Sequence, residues 1–565
     1  MTHRPAASIG SAGGLWRCAA PAAFAVVLVL ATTGFRFGVC SDLYHLPYVL
    51  RLDALPQFAH DQFYQHLDRI VSLIWPLARL VADEGNAHAL FLSAYIVSLA
   101  LYFVALLHIV FRLGLREWPV LVLASALFGL TYLDSGYSFL AGANIIGGTF
   151  TDTGVAISLV AVSFALALNR RIVWALVVLG IAFDARYEVA LWGVAALLAI
   201  SVVIAWERVA IRHDWATGGL IALLLASPAI AWLAWSIGSV GQSDSDFLAY
   251  IAQVAPSQWL VSATSLQQWV MFVAMLTLGL SAFSVLGPRA KLLCAAFLGF
   301  LTVFVVGCAL PFVTDSQWLL TLRPMAADGP MQMLATVGAV TVVTQDMRYG
   351  GAGRVGLSLV IAAALLVSEY ALPIGALAML ARAALAHGEM LGIERRVKPL
   401  NQHIVHNIAA PALLAVAVAG GVLRIIQPPP WIAPEPQSDP GFAALVQWAK
   451  DATPTESVFL VNGKSDDVFD TFQMLSQRAV WLDDARGASA LWDSGYYPFW
   501  RQRIDQLHAL HAPQARLQFA CHAGVDYYAD RTSDGFDPHA PALSSYLAFD
   551  QDGYFVIDTR HYCRR

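Results

Sequence analysis

Long apolar runs separated by short polar loops occupy the first 427 residues, and a soluble-type mixture of short apolar stretches follows them. Runs near 18–38, 89–111, 118–134, 153–168, 172–184, 187–206, 217–238, 268–287, 292–313, 331–345, 355–370, 372–386 and 408–427 predict helices that cross a bilayer. About 20 apolar residues in helical form cover its roughly 30 Å of hydrocarbon. The run 172–206 is too long for one helix and is split at DARYE (184–188). The run 355–386 contains Glu369 and Pro373 and is read as one or two crossings, with Glu369 explained only if a hairpin tip falls there. The run 331–345 is short, with a re-entrant segment as its alternative. The pattern therefore predicts an all-α polytopic bundle of about 11–13 spans.

Basic residues set the orientation, because Lys and Arg in short loops stay cytoplasmic. They gather at Arg112/Arg116, Arg170/Arg171, Arg208/Arg212, Arg289/Lys291 and Arg395/Arg396/Lys398, with Arg4 and Arg17 at the start. Placing all of these inside gives a cytoplasmic N-terminus and an extracytoplasmic C-terminal domain. It puts 39–87, 135–152, 239–267 and 314–330 on the outer face. Arg36, at the outer end of the first span, breaks this pattern.

Composition agrees: 58% of residues are hydrophobic and 13% charged, against about a quarter charged in soluble domains. The net charge of -5 leaves no basic footprint for nucleic acid. The six cysteines show no metal-ligand spacing. Cys18, Cys294 and Cys308 fall in apolar runs, whereas Cys521 and Cys563 lie in the tail and could pair in an oxidising compartment.

The loop after the first span, 39–87, is long and rich in acids, imidazoles and aromatics. From Phe63, apolar residues recur at Leu67, Ile70, Ile74, Leu77 and Val81, which predicts one amphipathic helix lying in the interface or against the bundle top. Pro428-Pro429-Pro430 opens a Pro-rich linker (428–440), since proline cannot continue a helix. Beyond it, 441–565 alternates helix and strand: FAALVQWAKDA, SVFLVN, DDVFDTFQMLSQ, RAVWLD, YPFWRQRIDQLHAL and VDYYAD. That order predicts a small α/β domain. VNGKSDD after its first strand is no phosphate-binding loop.

A first span, a long acid-bearing outer loop with an interfacial helix, many further spans and an outer α/β domain resemble the GT-C-type membrane glycosyltransferases. The first loop is similar to that of bacterial membrane proteins reading HLP, a turn, then P-x-F-x-x-D, here His45-Leu46-Pro47, Asp53-Ala54 and Pro56 to Asp61. The resemblance implies a polyprenyl-phosphate sugar donor, membrane lipids as partners, an inner-membrane location, and a first-loop Asp as general base. This chain departs from it in having a single acid, Asp42, directly after the span. The only DxD in its outer loops is in the Ser-rich SDSD at 243–246, so no metal or other cofactor is assigned.

Such a transfer needs a base for the acceptor proton and cations for the departing phosphate. Asp42 is the first candidate base and Asp61 the second, the alternative being a helix cap or a surface acid. His45, three residues after Asp42, shares its helix face. Arg186 and Arg323 are the candidate phosphate ligands, although Asp184, Arg186 and Glu188 could instead neutralise one another at a hairpin tip. Asp152, in GANIIGGTFTDTG, is a further candidate for substrate binding. A lipid or glycan transporter and a non-catalytic assembly partner are the rival functions. A deep outer groove lined by Asp42 and an arginine would favour the enzyme, and a cavity at the bilayer midplane the transporter.

Overall fold

The computed structural model describes residues 11–39, 41–134, 138–142, 146–207, 211–238, 244–254, 256–390, 439–461, 468–532 and 536–564. The predicted span 408–427, most of the linker 428–440, and Arg208, Arg395, Arg396 and Lys398 lie outside these residues. The bundle is built from α1 (Ser11–Thr32), α5 (Ala87–Arg112), α6 (Trp118–Leu130), α7 (Asp152–Leu168), α8 (Ile172–Ala185), α9 (Tyr187–Trp206), α10 (Arg212–Gly238), α13 (Leu266–Leu286), α14 (Lys291–Ala309), α16 (Asp328–Tyr349), α17 (Ala352–Val367) and α18 (Leu372–Met390). Five stretches, Ala87–Arg112, Tyr187–Trp206, Arg212–Ser236, Leu266–Phe312 and Glu369–Gly388, are long and apolar enough to cross a membrane. The chain is a membrane protein.

Where the sequence left α16 as a short or re-entrant run, the structure has a continuous 22-residue helix buried along nearly its whole length. Its Gln332, Thr336, Thr341, Thr344 and Asp346 are all buried. A helix wrapped by other helices is solvated by protein and not by lipid, so it tolerates polar residues that blunt an apolar run. Gln332 donates to the Leu133 carbonyl and Thr336 to Asp134 at 3.1 Å. The run 355–386 is two helices, α17 and α18, and Glu369 stands in the 3₁₀ turn between them.

The predicted basic end holds together. Glu207 pairs with Arg170 (2.5 Å) and with Lys291, and Arg348 pairs with Glu117 (2.8 Å). At the opposite end the loop 39–87 is broken into pieces. They are α2 (Asp42–Val49), 3₁₀ turns at Leu52–Ala54, Pro56–Phe58 and Leu67–Arg69, α3 (Gln62–Gln65) and α4 (Ile74–Val81). The single helix predicted from Phe63 to Val81 does not form. Pro76 has no N–H to offer the carbonyl four residues earlier, Ile70 is extended, and the Leu73 N–H turns to the Asp184 carbonyl at 2.8 Å. On α4, Trp75 is buried while Leu77, Leu80 and Val81 are exposed, an apolar face suited to the bilayer interface.

The tail is the predicted α/β domain. Its sheet runs β2-β1-β3-β5-β4, with β1 (Val458–Val461), β2 (Ala479–Val480), β3 (Tyr527–Arg531), β4 (Leu547–Gln551) and β5 (Tyr554–Asp558). β1 pairs in parallel with β2 and β3; the hairpin β4–β5 adds antiparallel strands on the β3 edge. Helices at Pro440–Ala452 and Tyr496–His508 stand where the sequence pattern put them. The hairpin and the helix Pro513–Ala523 were not anticipated. Cys521 and Cys563 form a disulfide with Cα atoms 5.4 Å apart, joining that helix to the end of the chain. A loop of this size confers about 2–4 kcal/mol. Cys521→Ser/Cys563→Ser is therefore expected to lower the tail's unfolding midpoint, and reductant to do the same to the wild type only. Equal midpoints for the two proteins with and without reductant would remove the disulfide from the tail's stability.

Candidate functional site

Between the tail and the end of the bundle that carries loop 39–87 lies a cavity of about 370 Å³. Four arginines line it: Arg36, Arg69, Arg186 and Arg323. Two carboxylates, Asp152 and Glu188, stand among them, and both are buried.

Local sequence explains how each group arrives. Arg186 is extended (φ -156°) at the break between α8 and α9, so the hairpin tip turns it inward. It bonds Glu188 Oε1 through Nε and Asp152 Oδ2 through Nη1 at 3.1 Å. Asp152 opens α7, where its carboxylate is favoured by the helix dipole. Its Oδ1 accepts the Thr153 N–H at 2.7 Å, and its Oδ2 also faces Trp75 Nε1 at 3.4 Å. The mutual neutralisation weighed from the sequence exists, but with Asp152 in place of Asp184.

Arg323 takes a left-handed conformation (φ 43°) just before Pro324. Gly307 of α14 makes room for that turn. A Cβ there would lie 2.6 Å from the Pro324 carbonyl carbon. The Leu322 carbonyl is held by Trp192 Nε1 at 3.0 Å. The guanidinium stacks over Trp259 (5.3 Å), donates to Gln258 Oε1 at 3.0 Å and leaves Nε without a protein partner. Arg36 donates to the Gly147 carbonyl at 3.3 Å. Neither Arg36 nor Arg323 pairs with a carboxylate among the described residues. Arg69 is neutralised by Asp493 of the tail at 2.6 Å.

The wall also holds buried polar atoms with no protein partner: Ser41 Oγ, His45 Nδ1, Glu188 Oε2, Gln317 Oε1, Arg323 Nε and Trp492 Nε1. Buried polar groups are rarely left unpaired, because each costs about 1–3 kcal/mol. These six give the cavity both donors and acceptors to offer. His45 stacks on Trp75 at 3.9 Å, and burial pulls its pKa down to about 4, so its imidazole is neutral at neutral pH.

No protein-family model matches the sequence, and no curated protein matches it significantly. Among solved structures the chain is similar to ArnT from Cupriavidus metallidurans bound to undecaprenyl phosphate. Identity is 15% over 97% of this chain and 98% of that chain, with a TM-score of 0.40. The likeness covers both chains end to end and is loose in superposition.

Of the residues proposed from the sequence, His45, Asp152, Arg186 and Arg323 line the cavity, and Asp42 and Asp61 do not. Asp61 caps α3 through the Tyr64 N–H (3.1 Å), accepts from Gln473 Nε2 (2.7 Å) and faces Arg486 at 3.4 Å. It fastens the first outer loop to the tail. Asp42 is fully buried; its Oδ2 accepts the Gly38 N–H at 2.9 Å and its Oδ1 has no partner. The SDSD acid Asp244 accepts the Gln317 N–H at 2.9 Å. Among the described residues no group of three or more His, Cys, Asp and Glu gathers as a metal site.

Glu188, Arg36, Arg69, Tyr44 and Trp492 were not singled out from sequence as site residues. Arg36 carried a signal, since an arginine on the wrong side of the positive-inside pattern needs a reason. The others converge only in space.

Asp42 provides a pH prediction. Burial raises its pKa from 3.8 to about 7. The unfolded chain loses the proton near pH 4 while the folded chain keeps it, so this residue's contribution to stability falls as pH rises from about 4 to 7. Asp42→Asn imitates the protonated acid and accepts the same Gly38 N–H. Its melting temperature is expected to equal the wild type's at pH 4 and exceed it at pH 8. A variant less stable than wild type at pH 8 would show that the carboxylate is wanted charged.

Proposed function

We propose that the chain is a GT-C-like glycosyltransferase of a bacterial inner membrane, using a polyprenyl-phosphate sugar on the outer face. The N-terminus and basic loops face the cytoplasm, and the tail lies outside. The observation that carries this reading is the cavity itself. Two arginines without carboxylate partners face it beside a buried glutamate with one unengaged oxygen.

Arg323, with Arg36 as a second cation, holds the phosphate as negative charge builds on it. Arg186 is tied to Asp152 and Glu188 and fixes the position of Glu188 through Oε1. Glu188 Oε2 takes the proton of the acceptor hydroxyl as that oxygen bonds to the anomeric carbon. The bond from that carbon to the phosphate oxygen breaks, and the electron pair leaves on the phosphate. The base assigned from sequence to the first loop thus moves to the start of α9.

The cavity sits at the loop end of the helices and not midway along them, which favours transfer chemistry over the transporter alternative. A non-catalytic partner would have no use for so many unpaired polar atoms on one wall. The test compares cell-envelope glycans in wild-type, deletion and Glu188→Gln strains with equal membrane levels of the protein. The same glycan is expected to be lost in the deletion and the variant. A deletion that alters no glycan would overturn the reading.

A further inference from the structure

The tail is more than a neighbour of the cavity: its Trp492, half-buried, forms part of the chamber wall together with Leu491. Two sets of contacts hold this short segment. On one side Arg486 links Asp483 (3.1 Å) to Asp61 of the first outer loop (3.4 Å), and Trp500 Nε1 donates to the Asp483 carbonyl at 3.1 Å. On the other, Arg69 donates to Asp493 Oδ2 at 2.6 Å, and His66 Nδ1 lies 3.0 Å from the same oxygen. Trp492 stands between these anchors, edge-on to Tyr44 with ring centroids 6.0 Å apart.

Its indole N–H is out of solvent and has no acceptor. The surrounding geometry fixes the ring and leaves its one polar atom unused, a costly arrangement unless something else accepts that bond. A flat aromatic face with a directed donor suits a pyranose ring, which offers C–H groups to the face and a hydroxyl oxygen to the donor.

We propose that Trp492 binds the saccharide ring of the acceptor, and that Asp493, held by Arg69, is its positioning residue. The inference rests on the transferase reading. The donor's phosphate is assigned to Arg323 and Arg36, which leaves the tail's wall of the cavity to the acceptor.

Saturation-transfer NMR with maltose and N-acetylglucosamine as probes, on the purified full chain in nanodiscs, tests it. Binding of undecaprenyl phosphate to the same sample is measured by native mass spectrometry. A saccharide signal is expected for the wild type. Trp492→Ala is expected to weaken affinity about tenfold, the loss of one hydrogen bond plus stacking. Trp492→Phe, which keeps an aromatic face in a smaller volume and has no N–H, is expected to fall between. Asp493→Asn should mimic the weakening, and a Tyr496→Phe control outside the wall should not.

No saccharide signal from the wild type, or unchanged affinity in both Trp492 variants, overturns the inference. A saccharide signal without undecaprenyl phosphate binding overturns the donor assignment and leaves Trp492 in place.

Discussion

Replacing Glu188 by Gln is expected to lower the transfer rate by about 10²–10⁴-fold, the usual worth of a positioned general base. The amide keeps the volume and can still accept from Arg186 Nε through its oxygen. It cannot take up a proton. Substrate binding should change little, because the phosphate is held by arginines, so the loss falls on turnover and not on apparent affinity. Asp152→Asn gives the contrast. Asp152 has both oxygens engaged, by Thr153 and by Arg186 and Trp75, and acts by steadying Arg186. Its replacement should cost less than that of Glu188. Steady-state transfer rates for the two variants, at matched protein levels, decide between them. A Glu188→Gln protein that turns over at the wild-type rate would move the base elsewhere on the wall.

The largest stability loss is expected far from the cavity. Arg382 of α18 and Asp346 of α16 form a doubly hydrogen-bonded pair at 2.6 and 2.9 Å, and Ser358 of α17 donates to the same carboxylate at 3.0 Å. Both ions are buried, at 4% and 3% side-chain exposure. Asp346→Ala leaves a guanidinium in low dielectric with no counter-charge, and breaking such a pair from one side costs about 3–5 kcal/mol. Asp346→Leu combined with Arg382→Met removes both charges and should recover most of that loss. Thermal unfolding of the purified variants in detergent, followed by size-exclusion homogeneity, measures it. Equal midpoints for the single and double variants would contradict the argument, since the cost is assigned to the orphaned charge.

This pair also shows where a linear reading fails. Arg382 and Asp346 are 36 residues apart on different helices, and nothing in either segment announces the other. The sequence did place the described helices of the bundle: apolar runs of span length depend on local hydrophobicity, which each segment carries by itself. The tail's alternating strands and helices were legible for the same reason. Its last hairpin was missed because β4 is mostly exposed and lacks a buried strand's pattern.

The chamber belongs to the other category. His45, Asp152, Arg186 and Arg323 were candidates by chemistry, as ionisable or hydrogen-bonding groups near the ends of apolar runs. Asp42 and Asp61 were candidates by the same criterion, yet they face the backbone and the tail. Chain position set each residue near the outer end of the bundle. Which way it turned was set by contacts between elements distant in sequence: the Gly307 gap beside Pro324, the break between α8 and α9, and the ion pairs from Arg69 and Asp61 to the tail. Hydrophobic periodicity is a property of single segments, and so the sequence determined the apolar helices and the kind of fold. A cavity is a property of several segments at once, and only their packing decided that Glu188, Arg36 and Trp492 share a wall from which Asp42 is absent.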